Sequence, residues 1–273
     1  MRKTFRKSHS PLVLILMLLP FVVGFDMNDS SGTYAKVSGG HGAYHLTGCH
    51  RDFDSRFNEG EIELKHTFAT AAADKPDPSF LDKARPALTT VGGFADFVSQ
   101  DLTVVRAVSP STSKAGDQES ARGFAGGAYV GLDWRWVGVD LGLNALLMNL
   151  GVDDAEKNKV APMLGLRLGS AEGIYATGEV NGANPYLSGG GQVNAGLGMK
   201  FGATRAWLGA GTFFSGNAPL GMIKVDQGWG PWGVTLTAEG SGKNVPPADL
   251  GIDHEYGFSL GLIYRLSSLD GGK

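Results

Sequence analysis

The chain is poor in the features that brace or anchor most proteins of its size. It has one cysteine, Cys49, among 273 residues, so no internal disulfide is available to it. Past residue 25 no apolar run is long enough for a membrane helix, which excludes a helical membrane bundle. The formal net charge is −3, and no basic excess marks a nucleic-acid footprint. Glycine, by contrast, is abundant. Its 42 residues are roughly twice the average usage, yet they follow no collagen period. They recur inside apolar alternating runs, as at Gly138, Gly142, Gly196, Gly198, Gly257 and Gly261. In a strand, glycine removes a side chain where space is short or another backbone comes close.

Residues 1–25 read as an export signal that is cleaved. Arg2, Lys3, Arg6 and Lys7 form a positive head, and Leu12 to Val23 is an apolar run of signal length. A membrane anchor is the competing expectation, but the run is short and Pro11 and Pro20 bracket it. Residues 26–273 then form a single domain with a short polar C-terminal tail. Leu46-Thr47-Gly48-Cys49 has the look of a lipobox, but polar Lys36, Ser38, His41 and His45 precede it. A lone thiol is the better expectation.

The clearest element is His254 to Leu266. Tyr256, Phe258, Leu260, Leu262, Tyr264 and Leu266 share one face. Glu255, Gly257, Ser259, Gly261 and Arg265 share the other, with Ile263 the apolar exception. A period of two means a β-strand. The same pattern recurs along the chain. Tyr34 to Thr47 is a weakly alternating first strand, and His50 to Asn58 a polar loop. Glu61 to Thr70 sets Ile62, Leu64 and Phe68 against Glu61, Glu63, Lys65 and Thr67. Ala71 to Pro86 is irregular, Ala87 to Val108 one long β-prone stretch, and Ser109 to Arg122 a loop. Phe124 to Trp134 turns at Trp134-Arg135-Trp136 into Val137 to Leu147. After a charged loop at Asp153 to Asn158 come Val160 to Leu168, Ile174 to Val180, a loop from Gly182 to Gly190, and Val193 to Phe201. The turn Gly202-Ala203-Thr204 leads to a less tidy strand from Arg205 to Phe214. Leu220 to Gln227, a turn at Gly228-Trp229-Gly230-Pro231, Trp232 to Glu239, and a polar loop from Gly240 to Asp253 precede the last strand.

About twelve strands result, an even count. Connections near 135, 171, 203 and 229 are short; those near 50, 115, 154, 186 and 247 are longer. The stretch 71–86 breaks this alternation, and 215–219 fits it loosely. Across nearly all of residues 34–266 this pattern resembles the bacterial outer-membrane β-barrel class. Such barrels hide their hydrophobicity on alternate positions, with short turns on the periplasmic side, consistent with a near-zero mean hydropathy of −0.06. Trp134, Trp136, Trp229 and Trp232 stand at or beside short turns, where barrels carry an aromatic girdle. One departure is the polar tail, Ser267 to Lys273, where the class usually ends on an aromatic residue.

The resemblance implies an all-β, antiparallel transmembrane barrel in the outer membrane. It implies a narrow porin-like channel or a structural or surface-interaction role, with no cofactor, metal or nucleic acid. Outer-membrane lipid, the barrel-assembly machinery and small polar solutes are the partners it implies. The candidate lumen-lining residues are Glu63, Lys65, Asp133, Asp140, Arg167, Glu179, Lys200, Glu239 and Arg265, with Asn144 on the same face. Opposite charges on neighbouring strands there would pair and fill the interior, or leave a narrow polar path.

Two other classes stay open: an outer-membrane enzyme acting on lipid or peptide, and a secreted soluble all-β protein. For an enzyme, His254, Glu255 and Ser259 are the nearest group, but His254 and Ser259 fall on opposite faces of one strand. His41, His45 and Cys49 share a face, yet strand positions four apart lie about 13 Å from each other, too far for one zinc ion. Gly123 to Gly127 and Gly189 to Gly191 are not phosphate loops, because no helix follows either.

Overall fold

In the computed structural model the described residues are 32–48, 51–69, 85–108, 114–150, 158–182, 192–213, 219–242 and 250–266. The export signal at 1–25, Cys49 and most of the stretch 71–86 lie outside them, as does the tail at 267–273.

The described residues form twelve strands: β1 (Gly32–Gly48), β2 (Arg51–Ala69), β3 (Leu88–Ala107), β4 (Gln118–Asp133), β5 (Val137–Leu150), β6 (Asn158–Gly169), β7 (Ile174–Asn181), β8 (Gln192–Phe201), β9 (Thr204–Phe213), β10 (Pro219–Trp229), β11 (Trp232–Ser241) and β12 (Leu250–Leu266). Each pairs antiparallel with its sequence neighbours, and β1 pairs with β12 to close the barrel. Closure leaves no free edge, which is what a sheet in hydrocarbon requires of its backbone groups. We call the end where β1 begins and β12 ends the near end. The connections at 134–136, 170–173, 202–203 and 230–231 all lie there.

The tightest of these are built on residues with positive φ. Gly202 (φ 56) and Gly230 (φ 57) occupy the first central position of their two-residue turns, the conformation of a type II′ hairpin. The β4–β5 turn instead uses Arg135 at φ 66. It is held by Arg135 N–H donating to Asp133 Oδ1 at 2.8 Å and Trp134 N–H to the Val137 carbonyl at 2.8 Å. A side chain in this region costs roughly 1–2 kcal/mol, part of which glycine would recover. Arg135→Gly is therefore expected to raise stability by about 0.5–1 kcal/mol, read from the denaturant midpoint of the refolded protein.

Alternation decides which way each strand faces. In the near half, outward residues are large and apolar: Ile174, Leu197 and Leu208 are 70%, 66% and 67% exposed. Such residues recur on strand after strand, which is far more apolar surface than a soluble monomer presents. Trp134 and Trp136 stand in the β4–β5 connection, and Trp229 pairs with Trp232 across the β10–β11 turn. Trp232 also packs on Tyr264, with centroids 4.4 Å apart. Aromatic residues thus cluster at the near rim of the apolar belt. The fifth, Trp207, sits on the inward face of β9.

Beyond the middle of β1, β2 and β3 the polarity reverses. On β2, outward Ile62, Leu64 and Phe68 give way to Asp54, Arg56 and Asn58, and inward Glu61, Glu63 and Lys65 give way to Phe53, Ser55 and Phe57. On β3, Val98, Leu102 and Val104 face inward and are 0–1% exposed, while Ser99, Asp101 and Thr103 face outward. This corrects the expectation of a polar loop from His50 to Asn58. β2 begins at Arg51, and its residues from Asp52 to Asn58 pair with β1, from Thr47↔Asp52 to His41↔Asn58, so only residues 49–50 stand between the two strands. The connection near 50 is therefore short, against the expected alternation of loop lengths. Polar residues faced outward and apolar ones inward, so the segment lacked the apolar outer face by which its neighbours were read. Three smaller shifts follow the same boundaries. The strand expected from Phe124 begins at Gln118, the one expected from His254 begins at Leu250, and β5 runs on to Leu150.

Candidate functional site

Register carries one inward face around the barrel. Lys36 pairs with Glu63 and Tyr34 with Lys65; Lys65 pairs with Gly92 and Glu61 with Asp96. Gly131 pairs with Asp140, Gly138 with Arg167, Gly165 with Glu179, and Lys200 with Arg205. Met222 pairs with Glu239, and Tyr34 with Arg265. All nine candidate residues therefore fall on the inward face, and so does Asn144, which pairs with Gly127. Several inward charges went unassigned in the sequence. Lys224 and Asp226 alternate against Ile223 and Val225 and were legible there. Lys36 lies in a glycine-rich strand and Arg205 in an untidy one. Asp96 sits where the polarity of β3 turns over.

Glycines on this face are spaces that neighbouring side chains fill. Tyr129 on β4 reaches across β3 at Gly92 and donates its hydroxyl to Glu63 Oε1 on β2 at 2.6 Å. A Cβ at Gly92 would stand 2.4 Å from the tyrosine ring. Arg167 on β6 crosses β5 at Gly138 in the same way and pairs with Asp133 on β4. Trp207 on β9 crosses β8 at Gly196 and donates Nε1–H to Thr177 Oγ1 on β7 at 2.8 Å. A glycine on the middle strand thus lets next-nearest strands bond over it, and such bonds stiffen the wall.

Charges of both signs meet in the near half. Lys36 Nζ lies 2.8 Å from Glu61 and 3.6 Å from Glu63. Lys65 and Arg265 stand 5.6 and 5.8 Å from the ring of Tyr34, within cation–π range. Lys200 Nζ meets Glu172, on the β6–β7 connection, at 2.5 Å. Lys36, Glu63, Lys65, Lys224, Asp226 and Thr235 surround a cavity of ≈ 40 Å³, room for a few waters.

Exposure varies along the inward face. In the near half Asp140, Glu179 and Lys224 face inward and are exposed, while Tyr34, Thr67, Tyr175, Thr235 and Ile263 on the same face are 2–8% exposed. Farther along, inward residues are buried on wall after wall: Phe57 on β2, Val98 on β3, Ala125 on β4, Ala161 on β6, Asn194 on β8 and Leu220 on β10 are 0–4% exposed. Glu59 and Glu119 share that inward face, paired with Val98 and Leu102, so charged residues line both halves of the lumen.

Among the described side chains, the residues weighed for other chemistry stay apart. His41 and His45 face outward, each against its own cross-strand partner: Asn58 at 2.9 Å and Asp54 at 2.6 Å. Ser259 faces inward, and the side chains of His254 and Glu255 lie outside the described ones.

A closed antiparallel barrel with an apolar outer belt, an aromatic near rim and a charged interior has the fold of an outer-membrane β-barrel. The chain is similar to several solved structures. The transport unit of the autotransporter AIDA-I from Escherichia coli matches at 11% identity and a TM-score of 0.51, covering 96% of this chain and 100% of that one. The β domain of the Bordetella autotransporter Brka matches at 13% and 0.46, covering 87% and 100%, and a KdgM porin at 8% and 0.41, covering 84% and 99%. No family model and no curated protein matches the sequence.

Proposed function

We propose that the protein is an integral barrel of a bacterial outer membrane that works as a narrow, porin-like channel for small polar solutes. The observation that carries this is the charged inward face of the near half, enclosed by a wall whose outer face is apolar. Outer-membrane lipid is the partner of that belt. Export by the signal at 1–25 and insertion by the barrel-assembly machinery belong to the same proposal. No catalytic step is assigned to it. The inward side chains buried farther along, Phe57 and Val98 among them, favour a second role, a closed barrel that serves structure or surface contact.

Single-channel recording of the detergent-purified, refolded protein in a planar bilayer separates the two. Discrete steps are expected, and their amplitude should change when Arg167, Glu179 or Lys200 is neutralised, because these side chains face the conducting space. A heat-modifiable, β-rich protein that inserts and never conducts would leave the closed structural role. A protein soluble in plain buffer that does not enter the bilayer would overturn the membrane assignment.

A further inference from the structure

The inward charges are sorted by depth. Strand pairing brings the near ends of the strands to one rim, as at Thr33↔Leu266, Asp133↔Gly138 and Trp229↔Trp232. Position counted from that rim therefore measures depth in the lumen. Every inward Lys or Arg among the described side chains lies within six residues of it. Arg265, Lys200 and Arg205 are second on β12, β8 and β9, and Arg167 is third on β6. Lys36 and Lys65 are fifth on β1 and β2, and Lys224, the deepest, is sixth on β10. Asp133, Asp140, Glu179 and Asp226 are the carboxylates of this section, so bases are in excess.

Farther in, the bases stop. The inward charges described there are Glu63, Glu61 and Glu59 on β2, Asp96 on β3, Glu239 on β11 and, at the far side, Glu119 on β4. The side chains of Lys159 and Glu255, one of each sign, lie outside the described ones. Lys36 stands at the boundary, with Nζ 2.8 Å from Glu61 and 3.6 Å from Glu63. Glu59 lies over Gly40 of β1, and Glu239 over Gly257 of β12. Those two strands pair at Gly42↔Gly257, so carboxylates from either side reach over the same seam.

We propose that the lumen is a bipolar conduction path, a basic section at the near end in series with a carboxylate section beyond it, which passes more current in one direction than in the other. The inference rests on the channel reading and says which ions each section admits. Acidic side chains around a pore favour cations, and basic ones favour anions. In about 0.1 M salt the Debye length is about 10 Å, long enough for each section's charge to reach across a narrow lumen. A voltage that drives cations from the far end to the near end brings them in through the carboxylate section, and brings anions in through the basic one. Both accumulate where the sections meet, and the current is large. The opposite voltage makes each ion enter through the section that repels it, and the junction empties. The asymmetry needs no moving part, because it is fixed in the wall.

The test is the single-channel current of the full chain at equal and opposite voltages in a planar bilayer. In about 0.1 M potassium chloride the two currents are expected to differ about twofold or more, and to become nearly equal at about 1 M, where the Debye length is about 3 Å. An asymmetry of shape alone would survive the added salt. Two sets of variants, each verified as folded by heat-modifiable mobility, separate the sections. Glu59→Gln, Asp96→Asn and Glu239→Gln together neutralise part of the carboxylate section; Lys65→Gln with Lys224→Gln does the same for the basic one. Each set should bring the current ratio toward one. In a potassium chloride gradient the first should move the reversal potential toward anion preference and the second toward cation preference. A merely loosened wall would not move them in opposite directions. Should one set fail to fold, the other set and the wild-type salt series still decide the matter. Steady wild-type conduction with equal currents in dilute salt, or an asymmetry that persists in concentrated salt, would overturn the bipolar path and leave the channel standing. Folded, inserted protein that never conducts would overturn both.

Discussion

Leu208→Arg is expected to cost about 2–4 kcal/mol of stability in lipid, the range for an arginine on the outer face of a barrel at mid-bilayer. Leu208 is midway along β9 and 67% exposed on the outward face. Its cross-strand neighbours are Leu197 on β8 and Ile223 on β10, both outward and apolar, so no water stands within reach of a guanidinium there. The informative comparison is Ser99→Arg. Ser99 also faces outward, but it lies past the polarity reversal, paired with Asn58 and Arg122. There the change should stay within about 0.5 kcal/mol. Equilibrium unfolding from lipid vesicles measures both. Equal costs would mean that the apolar belt does not end where the outward residues change from Phe97 to Ser99.

Gly196→Val is expected to cost about 1–3 kcal/mol by overpacking. A Cβ at Gly196 would stand 2.5 Å from Trp207 Cζ2 and 2.6 Å from the Leu208 carbonyl oxygen. The ring could give way only by surrendering its bond to Thr177, and the carbonyl belongs to the β8–β9 ladder and cannot give way. Shortening the indole should relieve the ring's share of the clash and leave the carbonyl's: Trp207→Ala in the Gly196→Val background is expected to be less harmful than the two single changes summed, the non-additivity of groups in contact. Gly178 supplies the control. A Cβ there meets nothing within 4 Å, so Gly178→Ala should be neutral or slightly stabilising. Urea midpoints of the four proteins settle it, and additive costs would show that the indole does not lie over Gly196.

Much of this barrel was legible because its outer face obeys a single rule. From Val193 to Phe201 every second residue is apolar and every other is small or polar, so β8 was read within a residue of its observed start. The last strand, with its aromatic and leucine face, was read to its end at Leu266, although it begins at Leu250 and not at His254. The rule fails where the wall leaves the apolar belt. There Phe53, Ser55 and Phe57 turn inward, and alternation continues with its sign reversed; a polar outer face then looks like a loop. In β9 the signal was blurred because Trp207 is inward and small residues flank it. The interior face was legible as a parity, which is why the nine charged candidates fall on it together. Their partners were not, since Arg167 meets Asp133 and Tyr129 meets Glu63 by passing over an intervening strand. Such contacts skip a neighbour, and pairwise alternation carries no information about them.

The seam between β1 and β12 has a mechanical consequence. Pairing there runs from Thr33↔Leu266 to Gly48↔Leu250, whereas β6 and β7 meet only from Met163↔Asn181 to Gly169↔Tyr175. A hoop usually yields at its join. This one is heavily riveted at its join, and its thin stave is the eight-residue β7, diametrically removed from the closure. Under lateral strain from the bilayer the ring would part at β6–β7, well away from the chain ends, and the last strand to dock during assembly is among the hardest to pull away.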